Sequence, residues 1–562
     1  MKQIIYTLSA AMVLLSSCNI DGQIEELRPM APEIAFAGHN AAYTVKQGRE
    51  LPITPDYLYV AGAIFTWSCN GKVVGSEPFY TFRSEETGRH FLNLEVATRY
   101  GVARQDVRID VVELEIPYVS LPGSENGYRI LAGRDLRMEP IVAKTSVKTS
   151  YEWSIDGEKV SDERSYTFAI RDKGEYALRF EASNEDGSDC AEFTVQVCTP
   201  DEMPFSWHFD TTVFNTSAGR AFRLVPQDIE NDFEVTYTWS SGGQTIQSGS
   251  NPLLRILPES TGTFSYTVTA VSPYIEPVSQ TLTVNVYAAD AHRRAATASS
   301  SVLCTKVHDF TPAPGQFISQ ISTSTDPAAA VAAAESILTV PENYVSLGSF
   351  GGYVVVGFDH SIDNGGGYDF AVRGNAFDNS SEPGIVWVMQ DENGNGLPDD
   401  TWYELKGSEY GKPETIQDYA VTYYRPRNAQ SPVAWSDNRG DSGMITLNPR
   451  YPDWIAADSY TLRGTRLAAR NSDESGSGTG WQNRNFEWGY ADNYSLTDRI
   501  TDDLYNYFRI SDAVDFEGGA VDLGYIDFVK IQCGINSASG WLGEISTEVL
   551  TVKDYNLEKT LN

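Results

Sequence analysis

The sequence predicts an all-β chain: three immunoglobulin-like β-sandwich modules followed by a larger, jelly-roll-like β-sandwich with one short helix. Three observations carry this expectation. A Trp-centred segment recurs with a spacing of 86 residues, at Trp67, Trp153 and Trp239. Each recurrence runs into strands whose apolar residues alternate with polar ones, the period of a half-buried strand. Aromatic residues reach 12% of 562, with 31 Tyr and 11 Trp, a bias that suits pleated sheets.

The repeated segments are Phe65–Gly71, Tyr151–Gly157 and Tyr237–Gly243, each with Trp-Ser followed by a polar turn. About twenty residues later come Gly88-Arg89-His90-Phe91, Gly174-Glu175-Tyr176-Ala177 and Gly262-Thr263-Phe264-Ser265. Inward Trp residues on central strands, in units this long, fit a sandwich of about seven short strands. The expected boundaries are 31–113, 114–199 and 200–288. The Trp-Ser-x-(Asn/Asp)-Gly and Gly-x-(Tyr/Phe) pair resembles PKD-type domains of bacterial surface proteins. That likeness implies modules that act as spacers, with no chemistry before about residue 288.

Upstream, Met1-Lys2-Gln3 is a short basic start, and Ile4–Leu15 is apolar but too short to span a bilayer. Leu15-Ser16-Ser17-Cys18 resembles a bacterial lipobox, which implies a signal peptide over 1–17, acylation of Cys18 and a tether over 18–30. Asp21, Glu25 and Glu26 resemble the surface-export signal of lipoproteins in some gut Gram-negative bacteria. The implied location is the outer membrane, lipid-anchored and facing outward, with the membrane reached through that anchor alone.

Residues 289–300 are small and polar and read as a linker. Beyond it the repeat ends, and seven of the eleven Trp residues follow position 380. Asp326-Pro327 ahead of an alanine-rich run predicts a helix with an Asp N-cap and Pro at its first position. The remainder of 301–562 reads as strands, with buried candidates at Tyr353–Phe358, Gly384–Met389 and Ile526–Ile531.

Charge narrows the partners. With 42 basic and 76 acidic residues the net charge is −34, of which −20 falls after residue 300. Such a surface repels phosphate backbones, so nucleic acid is a poor partner, whereas neutral ligands and metal cations suit it. Cysteines are few and scattered, with no zinc spacing, although Cys190 and Cys198 lie close enough in sequence to pair.

The sharpest local motif runs from Asp391 to Asp400. Oxygen side chains alternate there as in a calcium loop: Asp391, Asn393 and Asn395 by side chain, Leu397 by its carbonyl, Asp399 and Asp400 closing the set. Trp402 holds the place where an EF-hand would put a bidentate Glu, so a structural calcium ion is expected in a non-EF-hand loop. Enzyme signatures fare badly, and the expectation is a protein that is not an enzyme. Gly440-Asp441-Ser442-Gly443 copies a serine-protease tetrapeptide, but the next residues depart from it and only His308 and His360 lie in this region. Paired carboxylates of a glycoside hydrolase stay open, because their separation is a three-dimensional quantity.

A binding surface fits better. Trp481, Trp488, Tyr490 and Tyr494 stand among Asn485, Asn493 and other amides, next to a loop at 471–480 that is flexible by composition. Trp435 and Trp454, flanked by Asp and Asn, extend the set. Flat apolar faces ringed by amides match a large, neutral, polar ligand.

Several segments of 300–555 resemble one lipoprotein family: Ser346–Tyr353, Val356–Ser361, Glu382–Asp391, Asp399–Glu409, Trp488–Asn493, Ile526–Lys530 and Gly540–Glu548. They are similar to PKD-containing cell-surface lipoproteins that accompany TonB-dependent cobalamin transporters in gut anaerobes, the BtuH-type cobalamin (vitamin B12)-binding lipoproteins. The resemblance implies a corrinoid ligand and a TonB-dependent outer-membrane transporter as partner, without assigning contacts residue by residue. A glycan-binding surface lipoprotein of a polysaccharide-uptake system is the alternative, and whether His360 meets cobalt is left open.

Overall fold

The computed structural model describes residues 30–36, 40–124, 127–143, 145–340, 342–501 and 504–561. The expected signal peptide, Cys18 and most of the tether lie outside the described residues. No helix among the described residues is long and apolar enough to cross a membrane. The chain divides into two compact units, one ending at Glu115 and one running from Ile116 to Asn562.

The first unit holds the first sandwich. A five-stranded sheet is ordered Ala42–Lys46, Gly101–Val112, Gly88–Thr98, Ile64–Cys69, Lys72–Gly75, the first pair parallel and the rest antiparallel. It faces the pair Leu51–Ile53 and Tyr80–Phe82. Trp67 is fully buried among Leu94, Val96, Val107 and Ile109.

In the second unit the next two sandwiches repeat the strand order, with central strands Ser150–Ile155 and Thr236–Ser241. One device recurs in all three. The register slips by a β-bulge between Trp and Ser, at Trp67/Ser68, Trp153/Ser154 and Trp239/Ser240. The bulge turns the indole inward, and its N–H donates to a carbonyl of the facing loop: Glu77 at 3.0 Å, Arg164 at 3.3 Å and Pro252 at 2.8 Å. The hairpin then closes on two residues of positive φ, Asn70-Gly71, Asp156-Gly157 or Gly242-Gly243, the requirement of a type I′ turn. The sequence motif is thus the chemistry of a bulge and its turn. Cys190 and Cys198 are free. They stand eight positions apart on the single strand Gly187–Cys198, about 26 Å at 3.3 Å per residue, far beyond disulfide reach.

The last domain is built on a six-stranded sheet ordered Lys306–Thr311, Tyr353–Asp363, Tyr525–Cys533, Gly384–Met389, Trp402–Leu405, Ala513–Val514. The three strands expected from their apolar runs are its adjacent central members. Val354, Val356, Val386, Val388, Val529 and Ile531 point to one face. There they meet Phe370, Val372, Phe508 and Val552 of a three-stranded sheet and Ala330, Ala334 and Leu338 of the helix Pro327–Leu338. Asp326 caps that helix, accepting from the Ala328 N–H at 3.0 Å. The opposite face is covered as well, by a four-stranded sheet at 416–466. Gln532 donates to the Arg463 carbonyl at 3.0 Å, and Tyr423 donates to that of Phe350 at 2.8 Å.

Two expectations change here. The segment read as a linker is held against the last domain: the His292 N–H donates to the Tyr525 hydroxyl at 3.1 Å, and Arg294 bonds the Phe358 carbonyl and Asp527. The second and third sandwiches, expected as spacers, both pack on that domain. Arg223 makes a two-bond ion pair with Asp418 at 2.9 and 2.6 Å, Arg255 meets Glu517, and Arg463 meets Asp228. Arg427 pairs with Asp189 of the second sandwich and lies 4.6 Å above the Tyr118 ring. Charged side chains at module ends leave no periodic signal in the sequence, so these contacts were invisible there.

Candidate functional site

Of the aromatic residues singled out by sequence, Trp435 lines a cleft and Trp481 packs against a loop that walls it. Trp435 sits mid-strand in Val433–Asp437, opposite Gly443. A Cβ at Gly443 would press into its indole, so the glycine lets the ring lie flat across the neighbouring strand. Trp481 opens the strand Trp481–Asn483 and lays its indole against Gly540 in the same way. Gly540 and Trp435 line one cleft of about 210 Å³, with Met444, Leu447, Asn536 and Glu544. Trp541, 60% exposed, and Leu542, 39% exposed, lie on the same loop as Gly540.

The loop 536–543 that joins these residues is tied down. Asn471 donates to the Ala538 carbonyl at 2.7 Å, Ser539 donates to the Asn483 side chain at 2.6 Å, and Asn536 donates to the Tyr419 hydroxyl at 2.9 Å. At one side stands Glu544, 8% exposed. One of its oxygens accepts the Gln316 N–H at 2.5 Å; the other is buried and has no hydrogen bond among the described residues. Burial pushes this carboxyl upward. An unpaired buried acceptor of this kind costs about 1–3 kcal/mol.

The remaining aromatic residues separate. Trp488 lines a different cleft of about 200 Å³ with Tyr368, Lys406 and Arg509. Tyr494 is half-buried beneath Arg499, 4.9 Å from its ring. Tyr490 and Asn493 are corrections to the expected surface. Tyr490 is 2% exposed, its hydroxyl accepting the Glu409 N–H at 2.9 Å. The Asn493 amide, fully buried, bonds both the N–H and the C=O of Phe486 at 2.8 and 2.9 Å, as a paired strand would. Trp454 is 6% exposed and packs on Phe310, so it presents no open face. The loop 471–480 is organised as well: Asp473 accepts from the N–H groups of Ser475, Gly478 and Gly480.

The loop 391–400 leaves the end of the strand Gly384–Met389. Asp391 is 2% exposed and accepts the Asn395 and Gly396 N–H groups at 3.0 and 2.8 Å. Asn393 and Asn395 both donate to Asp399, and Asn393 also donates to Asp400. Burial and the neighbouring Asp399 and Asp391 charges push the Asp400 carboxyl up to about 7, although the Glu392 N–H opposes the shift. Asn393 and Asn395 thus turn their amide nitrogens toward the acids while their oxygens accept the Asn395 and Leu397 N–H groups, and Asp391, Asp399 and Asp400 do not form a cluster close enough to share a metal ion in this arrangement of the described residues.

One buried group of carboxyls escaped the sequence reading, and His360, left open there, finds its place. Glu382, Asp492 and Glu548 bring one oxygen each to within 4.8 Å of one another. Asp492 accepts the N–H groups of Asn375, Ala376 and Glu548 at 2.8–2.9 Å, while burial and the two neighbouring acids push the Glu548 carboxyl far upward. The arrangement is that of carboxyls sharing protons. His360 is fully buried between Asp554, 2.8 Å from one ring nitrogen, and Asp359, 2.6 Å from the other. These partners raise its pKa, Asp554 most. Both nitrogens face carboxylates, so neither is available to cobalt. A lone His or scattered acids give no local signal; only the fold assembles them.

The PKD-like domain family matches residues 31–98 and 117–184, the first two sandwiches, and the third shares their strand order and Trp bulge. Among solved structures, the titin fragment I67–I69 (E-to-A variant) is 14% identical, covers 45% of this chain and 97% of its own, with a TM-score of 0.21. The three N-terminal domains of the bacteriophage RB49 outer capsid protein Hoc are 13% identical, covering 46% and 100% at a TM-score of 0.22. Fibronectin(III)-like modules of Clostridium thermocellum CbhA are 11% identical, covering 32% and 100% at 0.18. No curated protein matches the chain.

Proposed function

We propose that the chain is a surface lipoprotein whose last domain captures a corrinoid and passes it to a TonB-dependent transporter, acting by binding and not by catalysis. The observation that supports the reading is the cleft lined by Trp435, the loop 536–543 and Glu544, with Trp481 packed against Gly540 of that loop and Trp541 exposed on it. Apolar ring faces suit the flat macrocycle, and buried acceptors suit its amide rim. Such a ligand is larger than the cleft, so it would lie across the Trp541 surface and send only part of its rim inward. The calcium loop serves in this reading as a structural clasp.

The test is calorimetric titration of the full chain with cyanocobalamin, repeated on Trp481→Ala and Trp435→Ala. Loss of a stacked anchor of this kind costs about 2 kcal/mol, roughly thirtyfold in affinity. Binding of neutral oligosaccharides with no binding of cyanocobalamin would replace the corrinoid by a glycan.

A further inference from the structure

A third cleft, larger than the two already described and of opposite character, lies on the last domain where it meets the second sandwich. It encloses about 490 Å³ between the segments 318–323, 425–429 and 450–454, within the usual range for small-molecule sites. Arg425, Arg427 and Arg450 line it, against the single carboxylate of Asp453. In a domain with twenty excess negative charges, three guanidinium groups around one cavity are a local reversal of sign.

Two of the three are pre-positioned. Arg425 stacks 4.6 Å above the Tyr451 ring and donates to the Ala457 and Ile455 carbonyls. Arg427 is braced by Asp189 and Tyr118 of the second sandwich, and this pairing holds the Asp189 carboxyl below its usual range. Arg425 and Arg450 make no ion pair among the described residues, so their charge is not cancelled locally. Asn428, Ser322 and Thr323 add neutral polar groups, while Pro426, Pro452 and Ile318 supply apolar wall. Trp454, which the sequence singled out, stands at the floor of this cleft, almost wholly buried, and its indole N–H has no acceptor among the described residues.

We propose that this cleft is a separate binding site for an anionic ligand of mono- to disaccharide size, whose carboxylate or phosphate is held by Arg425 and Arg450. Guanidinium forks match either group with paired hydrogen bonds, and the walls suit the faces of a sugar ring. Because Arg427 belongs to both the cleft and the junction, occupancy also ties the second sandwich to the last domain.

The test is titration of the full chain with glucose 6-phosphate, glucuronate and glucose. The proposal expects both acids to bind at least tenfold more tightly than glucose, and raising NaCl from about 50 to 500 mM to weaken them several-fold. The tighter of the two acids identifies phosphate or carboxylate as the preferred group. Arg450→Met, chosen because Arg450 makes no ion pair to lose on folding, should lower the affinity for both acids at least tenfold without changing the thermal midpoint. Equal binding of glucose, no binding of either acid by the unaltered chain, or salt-insensitive binding would overturn the proposal. So would unchanged affinity in a folded Arg450→Met protein.

Discussion

Replacing Arg220 by Ala should loosen the junction of the third sandwich and the last domain in a pH-dependent way. Arg220 is 6% exposed and pairs at 3.1 Å with Glu392, whose side chain is 1% exposed. It also donates to Gln390, Asp290 and the Asp522 carbonyl at 2.6–3.2 Å. Truncation strands the buried Gln390 acceptor at about 1–3 kcal/mol and also removes the hydrogen bonds to Ser217 and to the carbonyl of the exposed Asp522. The cost below pH 7 should therefore be about 3 kcal/mol. Burial, opposed by Arg220, holds the Glu392 carboxyl at about 7. A raised carboxyl pKa means that folding disfavours ionisation, so stability falls as pH rises above the unfolded value of about 4.3. With Arg220 present that loss levels off near pH 7. Without it the folded pKa climbs, and the loss continues at about 1.4 kcal/mol per pH unit. Urea unfolding of both proteins at pH 6 and pH 8.5 reads this directly, and Arg220→Ala/Glu392→Gln should abolish the extra loss at pH 8.5. A cost under 1 kcal/mol, or one equal at the two pH values, would refute the reasoning.

Glu548→Gln should be neutral at pH 4 and stabilising by about 1–2 kcal/mol at pH 8, because Glu548 has a raised folded pKa and its ionisation beside Glu382 and Asp492 is what folding resists; thermal midpoints at both pH values check this. On the expectation that the loop 391–400 takes calcium, a chelator should lower the midpoint of the last domain by several degrees, added calcium should restore it, and Asp391→Ala/Asp399→Ala should remove the response; a midpoint insensitive to calcium would reject that expectation. Trp153→Ala should cost about 3–5 kcal/mol by emptying the centre of the second sandwich, read as a lower urea midpoint.

Much of the fold was legible because its signals are local. The 86-residue recurrence, the Asn-Gly and Asp-Gly turns and the Asp326-Pro327 cap each depend on neighbours in sequence, and the structure uses each as the pattern implied. The bulge at each Trp-Ser step was not foreseen, although the repeated Ser after Trp was its trace. The candidate site was legible only in part. Aromatic residues among amides single out Trp435 and Trp481 as candidates, but composition cannot distinguish a surface ring from Tyr490, whose hydroxyl reaches a backbone N–H inside the core. Asn493 misled for a related reason: an amide that pairs with a backbone segment looks, in sequence, like one waiting for a ligand. The arginine cleft and the acidic triad come from residues far apart in the chain, brought together by loops that no periodicity describes.

The most direct test of the central proposal is amide hydrogen exchange of the full chain with and without cyanocobalamin. The account predicts slowing concentrated in 433–447, 471–483 and 536–544, the segments that carry Trp435, Trp481 and Glu544. Slowing confined to the three sandwiches, or no slowing at a saturating concentration, would contradict it.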